Sequence, residues 1–320
     1  MSPELRLLVA WVIALGLTYW LTPRMIRVAE AANVVDVPRG RHAHARTTPL
    51  LGGIAIFIGV MVPAMALSPN LALGVTLPLA FAAGLIDDYY KCRGKDMGAA
   101  FKLALQLLPA VVLVLMGHTV DHLSNPFGPS MLILPWWLNY PLTLFWLVGM
   151  TNAVNFLDGM DGLVTGLVAI AAFTLLIIAL VKGALPVAIW VGATLGACLG
   201  FLRFNFHPAR IFMGDAGSNF LGFLLAAIAV TGYFKAATVV GLAAPLLALA
   251  VPVLNAVFVV VRRLVQGKNL VQAFTMGDLE HSFNVLNRLA GFNPMETVLV
   301  FLLGAMVISA SALGIALSLK

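Results

Sequence analysis

Charge is what this 320-residue sequence has least of. Only 10% of its residues are Asp, Glu, Lys or Arg, while 61% are hydrophobic; an ordinary soluble domain is about 25% charged. So little polar surface cannot cover a water-soluble globule, and a lipid-solvated integral membrane protein is expected. Cysteine is nearly absent too. Cys92 falls in a basic segment and Cys198 inside an apolar stretch, which excludes a disulfide framework or a thiolate metal site. There is no GxxxxGK[ST] loop and no kinase motif set, so a phosphate ligand is not handled in P-loop fashion. The net charge of +6 does not mark a nucleic-acid binder. Its basic residues lie in short loops between apolar runs rather than on one polar face. The run from Leu7 to Leu21 is followed by Arg24 and Arg27 without an A-x-A-like site, so it reads as a retained first helix.

What the chain does have is apolar stretches near the ~20 residues a membrane helix needs. They cover 5–22, 50–67, 71–87, 101–117, 131–149, 162–181, 184–202, 217–234, 237–261 and 294–318. The expected fold is therefore all-α: one polytopic domain, residues 1–320, with about ten transmembrane helices. Fifteen of the 19 Lys and Arg fall in or beside the loops after spans 1, 3, 7 and 9; Arg6, Lys182, Lys235 and Lys320 lie on the other side. The positive-inside rule then places those loops in the cytoplasm and both termini outside. Eleven of the 13 carboxylates map to the same face, all but Glu4 and Asp121. Topology explains basic residues there but not acids. Loops rich in both signs, beside Gly and Asn, point to a site for a charged ligand and a metal.

Three clusters on that face carry the chemistry. Asp87-Asp88-Tyr89-Tyr90-Lys91 ends the third span. Adjacent carboxylates at a membrane boundary are unfavourable unless they hold a cation or share a proton, which suggests Mg²⁺ or phosphate chemistry. The plainer explanation is an Asp87–Lys91 pair one helical turn apart. Asn155, Asp158 and Asp161 recur every third residue in Asn152-Ala-Val-Asn-Phe-Leu-Asp-Gly-Met-Asp-Gly162, so a helix would set them on one face. Their oxygens suit Mg²⁺ or sugar hydroxyls; an Asp158 helix cap is the plainer explanation, and it accounts for one acid only. Met213-Gly-Asp215-Ala-Gly-Ser218 opens the eighth span. There the glycines and a helix N-terminus could cradle a phosphate, with Asp215 on a metal, or Asp215 could simply cap the helix. His44 and His281 sit in two further loops of this face; a lone loop histidine is more often just solvated. Asp pairs, a Gly-rich loop, lysines and histidines on one face fit phosphoryl transfer, in which cations neutralise developing charge.

Together these motifs resemble the polyprenyl-phosphate N-acetylhexosamine-1-phosphate transferases, which start bacterial envelope polysaccharides and include the phospho-MurNAc-pentapeptide translocase. The resemblance runs from about Asp36 to His281. It implies a bacterial inner-membrane enzyme with its active site facing the cytoplasm, dependent on Mg²⁺ with Mn²⁺ as a substitute, a UDP-amino-sugar donor and a polyprenyl phosphate acceptor. It makes Asp215 the leading metal ligand, with Asn155 beside it, and sets Asp87 and Asp88 as catalytic residues near the attacking lipid phosphate. Asn155, Asp158 and Asp161 would line the nucleotide-sugar pocket, and Lys91 and Lys102 would meet the phosphates. His44 matches the first-loop histidine of the GlcNAc-type branch. The last loop reads His281-Ser-Phe-Asn284, where the peptidoglycan enzyme should carry a histidine cluster. That departure favours the GlcNAc branch, with the MurNAc-pentapeptide transferase as the alternative. The resemblance allows a homodimer and implies no nucleic-acid partner.

A monoalkyl phosphate has its second pKa near ~6, so the lipid phosphate is mostly a dianion at pH 7 and needs little help from a base. Direct attack is favoured, with Asp87 or Asp88 positioning or deprotonating the acceptor; an aspartyl-phosphate intermediate is the alternative. A transporter would carry charges near its span centres, and these centres have almost none. An aromatic prenyltransferase would lack the Met213–Ser218 loop.

Overall fold

The computed structural model describes residues 1–36, 47–95, 97–124, 131–231, 250–267 and 291–318. Among them, ten helices fall on the ten apolar stretches. These are α1 (Pro3–Ala31), α2 (Gly52–Leu67), α3 (Leu71–Cys92), α4 (Ala99–Leu115), α5 (Trp136–Leu157), α6 (Leu163–Val181), α7 (Leu185–Asn205), α8 (Gly214–Val230), α9 (Ala250–Val265) and α10 (Pro294–Ser318). Five of them, α1, α3, α6, α7 and α10, are long and apolar enough to cross a membrane. Two short antiparallel ribbons interrupt the helices: β1 (Val35–Asp36) with β2 (Thr48–Pro49), and β3 (His122–Ser124) with β4 (Met131–Ile133). The sequence pattern did not anticipate them, because strands of two or three residues leave no alternation to read.

Local chemistry sets the helix starts. The Asn70 side chain accepts from Leu73 N at the start of α3. At the start of α10, Asn293 and Glu296 exchange bonds of 2.8 Å in a reciprocal capping box. Within the apolar helices, Thr76, Thr143, Thr151 and Thr194 each donate a hydroxyl to the carbonyl four residues back. Each thus satisfies itself where no water can.

α8 is the axis of the molecule. Every residue from Gly214 to Val230 is buried, as a helix apolar all round must be. α2, α3 and α5 pack against it, while α1 and α6 cover α7. Glycines make these approaches possible. A Cβ on Gly84 of α3 would run into the backbone of Asp215, and one on Gly222 of α8 would come within 2.9 Å of Thr151 Cα. Gly196 and Gly200 likewise let α7 lie on the α1 backbone. The ends of α3, α5 and α7 and the starts of α4, α6 and α8 share one end of this bundle, where all three motif clusters lie; the β3–β4 ribbon lies between the other ends of α4 and α5.

Candidate active site

The loop before α8 is held by backbone bonds to the end of β2 and the start of α2. Phe212 N donates to Pro49 O (2.9 Å), Gly52 N to Phe212 O (3.0 Å) and Gly53 N to Met213 O (2.9 Å). Gly214 then turns the chain with φ +69° and α8 begins. Asp215 lies in the first turn, and the N-cap is Met213, whose side chain makes no capping bond. Asp215 is therefore not a helix cap.

Asp88 reaches across from α3 and fills that helix start. Its Oδ1 accepts from Asp215 N at 2.8 Å and its Oδ2 from Ala216 N at 2.9 Å. The carboxylate is 1% exposed. This corrects the expectation of an open phosphate cradle: the anion at this N-terminus is Asp88, which needs those donors once buried and is favoured by the positive end of the helix. A Cβ on Gly214 would lie 2.5 Å from Asp88 Oδ2, so the turn must be glycine for space as well as for φ. Asp88 is committed to the backbone of α8 and does not share the environment of Asp87.

Asp87 faces the other cluster. Lys102 Nζ of α4 bonds Asp87 Oδ2 at 2.6 Å and Asp215 Oδ2 at 2.8 Å, and lies 3.5 Å from Asn155 Oδ1. Its three N–H donors are thereby all spent. Lys91 Nζ bonds Asp215 Oδ1 at 2.7 Å. Its distance to Asp87 Oδ2, one turn away, is 3.8 Å, so the local pair is the weaker of its two contacts. The lysines differ in access: the Lys91 side chain is 51% exposed and that of Lys102 14%. Asn155 Nδ2 donates to Ser218 Oγ at 2.9 Å, and Ser218 in turn donates to Gly214 O. One turn earlier, Asn152 and Gln106 exchange amide bonds of 2.8 and 3.3 Å inside the protein. They fix α5 against α4, and with it Asn155 against Lys102.

Asp158 and Asp161 do not continue the helical face of Asn155. α5 ends at Leu157 with Asp158 as its C-cap, and Gly162, at φ +76°, caps α6. The glycines at 159 and 162 end the helix, so the spacing of three does not become one face. Asp158 is partly buried in the turn. Burial pushes its carboxyl up to about 7, with the negative charge of Asp215 adding to the shift and Lys91 opposing it. Asp161 Oδ2 instead meets His207 Nδ1 and Ala209 N, both at 2.9 Å. His207 was not singled out by the sequence; the signal available was its place in Phe206-His207-Pro208, just before the Asp215 loop. His44 and His281 lie outside the described residues.

The donor set fits a hard divalent cation in part. Asp215, Asp87 and the Asn155 carbonyl oxygen converge, but among the described residues no three His, Cys, Asp or Glu side chains form a metal cage by themselves. Mg²⁺ commonly takes one or two carboxylates and completes its shell with substrate phosphates and water. Lys91, half exposed, occupies Asp215 Oδ1 on this side.

The family model for glycosyl transferase family 4 matches residues 70–233 of this sequence, the stretch that carries the side-chain contacts of the site. Similar proteins include the Bacillus subtilis "Probable undecaprenyl-phosphate N-acetylglucosaminyl 1-phosphate transferase", 33% identical over 305 residues that cover 94% of this chain and 82% of that protein. Phospho-N-acetylmuramoyl-pentapeptide-transferases of Gemmatimonas aurantiaca and Bacillus mycoides are 36% and 37% identical. They cover 70% and 69% of this chain, and 70% and 72% of their own lengths.

Proposed function

The chain belongs to glycosyl transferase family 4, and on that footing we propose that it transfers N-acetylglucosamine-1-phosphate from UDP-GlcNAc to undecaprenyl or a similar polyprenyl phosphate. The products are the polyprenyl-diphosphate sugar and UMP. The observation that carries this reading is the convergence of Asp87, Lys91, Lys102, Asn155 and Asp215 at one end of the bundle. It brings two ammonium groups and two carboxylates to the level where a membrane-anchored phosphate meets a water-soluble donor. The chain forms a single domain of ten spans in a bacterial inner membrane, with this end in the cytoplasm and both termini outside.

A lipid phosphate oxygen attacks the phosphorus that bears the sugar. The bond between the two donor phosphates breaks, and UMP leaves. The attacking group is already a dianion, so no proton need be removed from it. What opposes the step is repulsion between anions. Lys91 has an N–H to give and the exposure to move, so it follows the donor diphosphate; Lys102 stays between Asp87 and Asp215 and keeps their charges apart. Asp87 holds Lys102 toward the acceptor side, while Asp88 fixes the start of α8. Asn155, Asp158 and Asp161 line the donor pocket. Mg²⁺, held by Asp215 and the Asn155 carbonyl oxygen, would supply charge neutralisation at the diphosphate.

The second reading is phospho-MurNAc-pentapeptide transfer, favoured by the relatives that carry that name. The single histidine in His281-Ser-Phe-Asn284 speaks for the GlcNAc donor. A pocket without partners for a lactyl-peptide must desolvate its amides and carboxylates with no return. Purified protein incubated with polyprenyl phosphate and each UDP-sugar, with lipid products separated by chromatography, tests the choice. A GlcNAc lipid and no MurNAc-pentapeptide lipid is expected. Efficient formation of the latter overturns the donor assignment.

A further inference from the structure

The bond between His207 and Asp161 joins two loops that the reaction needs in register. The turn 158–162 leads into α6; the segment 206–213 leads from α7 to Asp215. Two polar links tie them. The inner one is buried: Thr165 Oγ1 of α6 donates to Asn205 Oδ1 (2.7 Å), and Asn205 Nδ2 donates to Ile211 O (3.0 Å). The outer one is Asp161 Oδ2, accepting from His207 Nδ1 and Ala209 N. Beneath it the backbones pack closely, since a Cβ on Gly162 would lie 3.2 Å from Phe206 Cα.

The outer link differs from the inner in one respect. The His207 side chain is 44% exposed and that of Asp161 is 18% exposed, so the imidazole fills no core space and its loss leaves no cavity. A residue conserving only packing would not be placed there. With Ala209 N–H alone, the carboxylate hangs from one hydrogen bond and can pivot; the second donor at the same oxygen fixes it. Asp161 is an acceptor, so Nδ1 must carry the proton, an assignment that follows from the partner.

We propose that His207 is a positioning residue for the donor site: through Nδ1 it holds Asp161, and with it the turn bearing Asp158, at a fixed place against the loop that presents Asp215. The consequence for binding rests on the donor reading above, in which that turn lines the nucleotide-sugar pocket. Loss of the link loosens the turn before the donor is bound, so ordering it then weakens donor affinity. The bond-making step, which depends on the Lys102 cluster, is left alone. The effect therefore falls on KM for the donor and not on kcat.

Two variants separate the bond from the ring. His207→Ala removes the donor. His207→Asn keeps an amide N–H near the place of Nδ1 and discards the rest of the imidazole. His207→Ala should raise the donor KM about tenfold, the scale of one charge-assisted hydrogen bond, with kcat and the acceptor KM within about twofold. His207→Asn should restore the donor KM. Amide hydrogen exchange, measured on the whole protein in detergent without substrate, reads the link directly: the Ala209 amide should exchange faster in His207→Ala and at the wild-type rate in His207→Asn. The proposal is overturned if Ala209 exchange is unchanged in His207→Ala, if His207→Asn matches His207→Ala in both measurements, or if kcat falls while the donor KM stays. A wild-type protein that turns over no UDP-sugar would sink the donor reading alone, and the exchange measurement would still decide the role of His207.

Discussion

Asp87 and Asp88 are neighbours in sequence, yet their substitution should have different consequences. In Asp88→Asn, the new amide keeps one acceptor oxygen for the start of α8 and turns an NH₂ toward the other backbone N–H. One of two charge-assisted bonds is lost, each worth ~1.5–3 kcal/mol, and a buried donor is left facing a donor. The helix start also loses the negative charge that suits its dipole. A destabilisation of about 3 kcal/mol is expected, equivalent to a fall of roughly 4–5 °C in melting temperature for a chain of this size. Turnover should fall with it, because the displaced backbone belongs to Asp215. Gly214→Ala should give the same phenotype, since its Cβ would come within 2.5 Å of Asp88 Oδ2. Asp87→Asn disturbs only side-chain contacts, to the two lysines and to Asp215, so it should lower kcat with a much smaller change in melting temperature. Thermal unfolding followed by tryptophan fluorescence in one detergent, beside initial rates over both substrates, distinguishes the two. If Asp88→Asn melts within about 2 °C of wild type and loses only turnover, Asp88 acts on substrate and its structural assignment is wrong.

Three other outcomes follow from the same cluster. Asp215→Asn should abolish transfer in a protein that still folds, because both lysines lose their shared partner and the candidate metal position loses its leading ligand; near-normal turnover with Mg²⁺ would remove it from the essential set. Lys102→Met should destabilise by about 3–5 kcal/mol, since it leaves Asp87 and Asp215 buried without their common cation, whereas Lys91→Met, at the exposed position, should act mainly by raising the donor KM. Unfolding curves and donor titrations of the two variants check that contrast. Asp158, at about 7 in the folded protein and near 3.8 ordinarily, keeps a proton on folding that the unfolded chain releases. Its contribution therefore falls as pH rises from about 4 to 7 and is flat above. Asp158→Asn should match wild type in melting temperature near pH 4 and exceed it at pH 8; equal differences at both pH values would refute this.

The apolar stretches were legible because membrane helices announce themselves by length and composition alone; each overlaps a helix among the described residues, 237–261 only from Ala250 on, and five of these helices are long and apolar enough to cross a membrane. Of the site, the residues that converge on Lys102 were legible as motif members, and Lys102 itself only through the family resemblance. What could not be read was which carboxylate meets what. Asp88 is satisfied by backbone N–H groups 127 and 128 residues away, and backbone donors have no side-chain signature. The helical-face reading of Asn155, Asp158 and Asp161 failed for a local reason that the sequence did contain. Gly159 and Gly162 flank the turn, and Gly162 adopts a positive φ that ends any helical continuation. His207 was hidden because a single histidine beside a proline carries no period.

The charge arrangement bears on how a resting site can be stable and still accept an anionic substrate. Asp87, Asp88 and Asp215 bring three negative charges into the bundle end, and Lys91 and Lys102 return two. The N-terminus of α8, worth roughly half a charge, faces Asp88. The cluster is thus close to neutral without a ligand, which lets buried carboxylates persist at a membrane boundary. An incoming diphosphate upsets that balance, and only a group able to move can restore it. Lys102 has no spare N–H and little exposure, and Asp88 is fixed by two backbone bonds. Lys91 alone in this cluster combines a second, longer contact at 3.8 Å with a half-exposed side chain. Donor binding should therefore draw Lys91 from Asp215 and leave the Lys102 contacts intact. Crosslinking or mass labelling of lysines reads this directly: the donor should change the reactivity of Lys91 and not of Lys102. Protection of Lys102 with Lys91 unaffected would reverse the roles assigned to the two lysines.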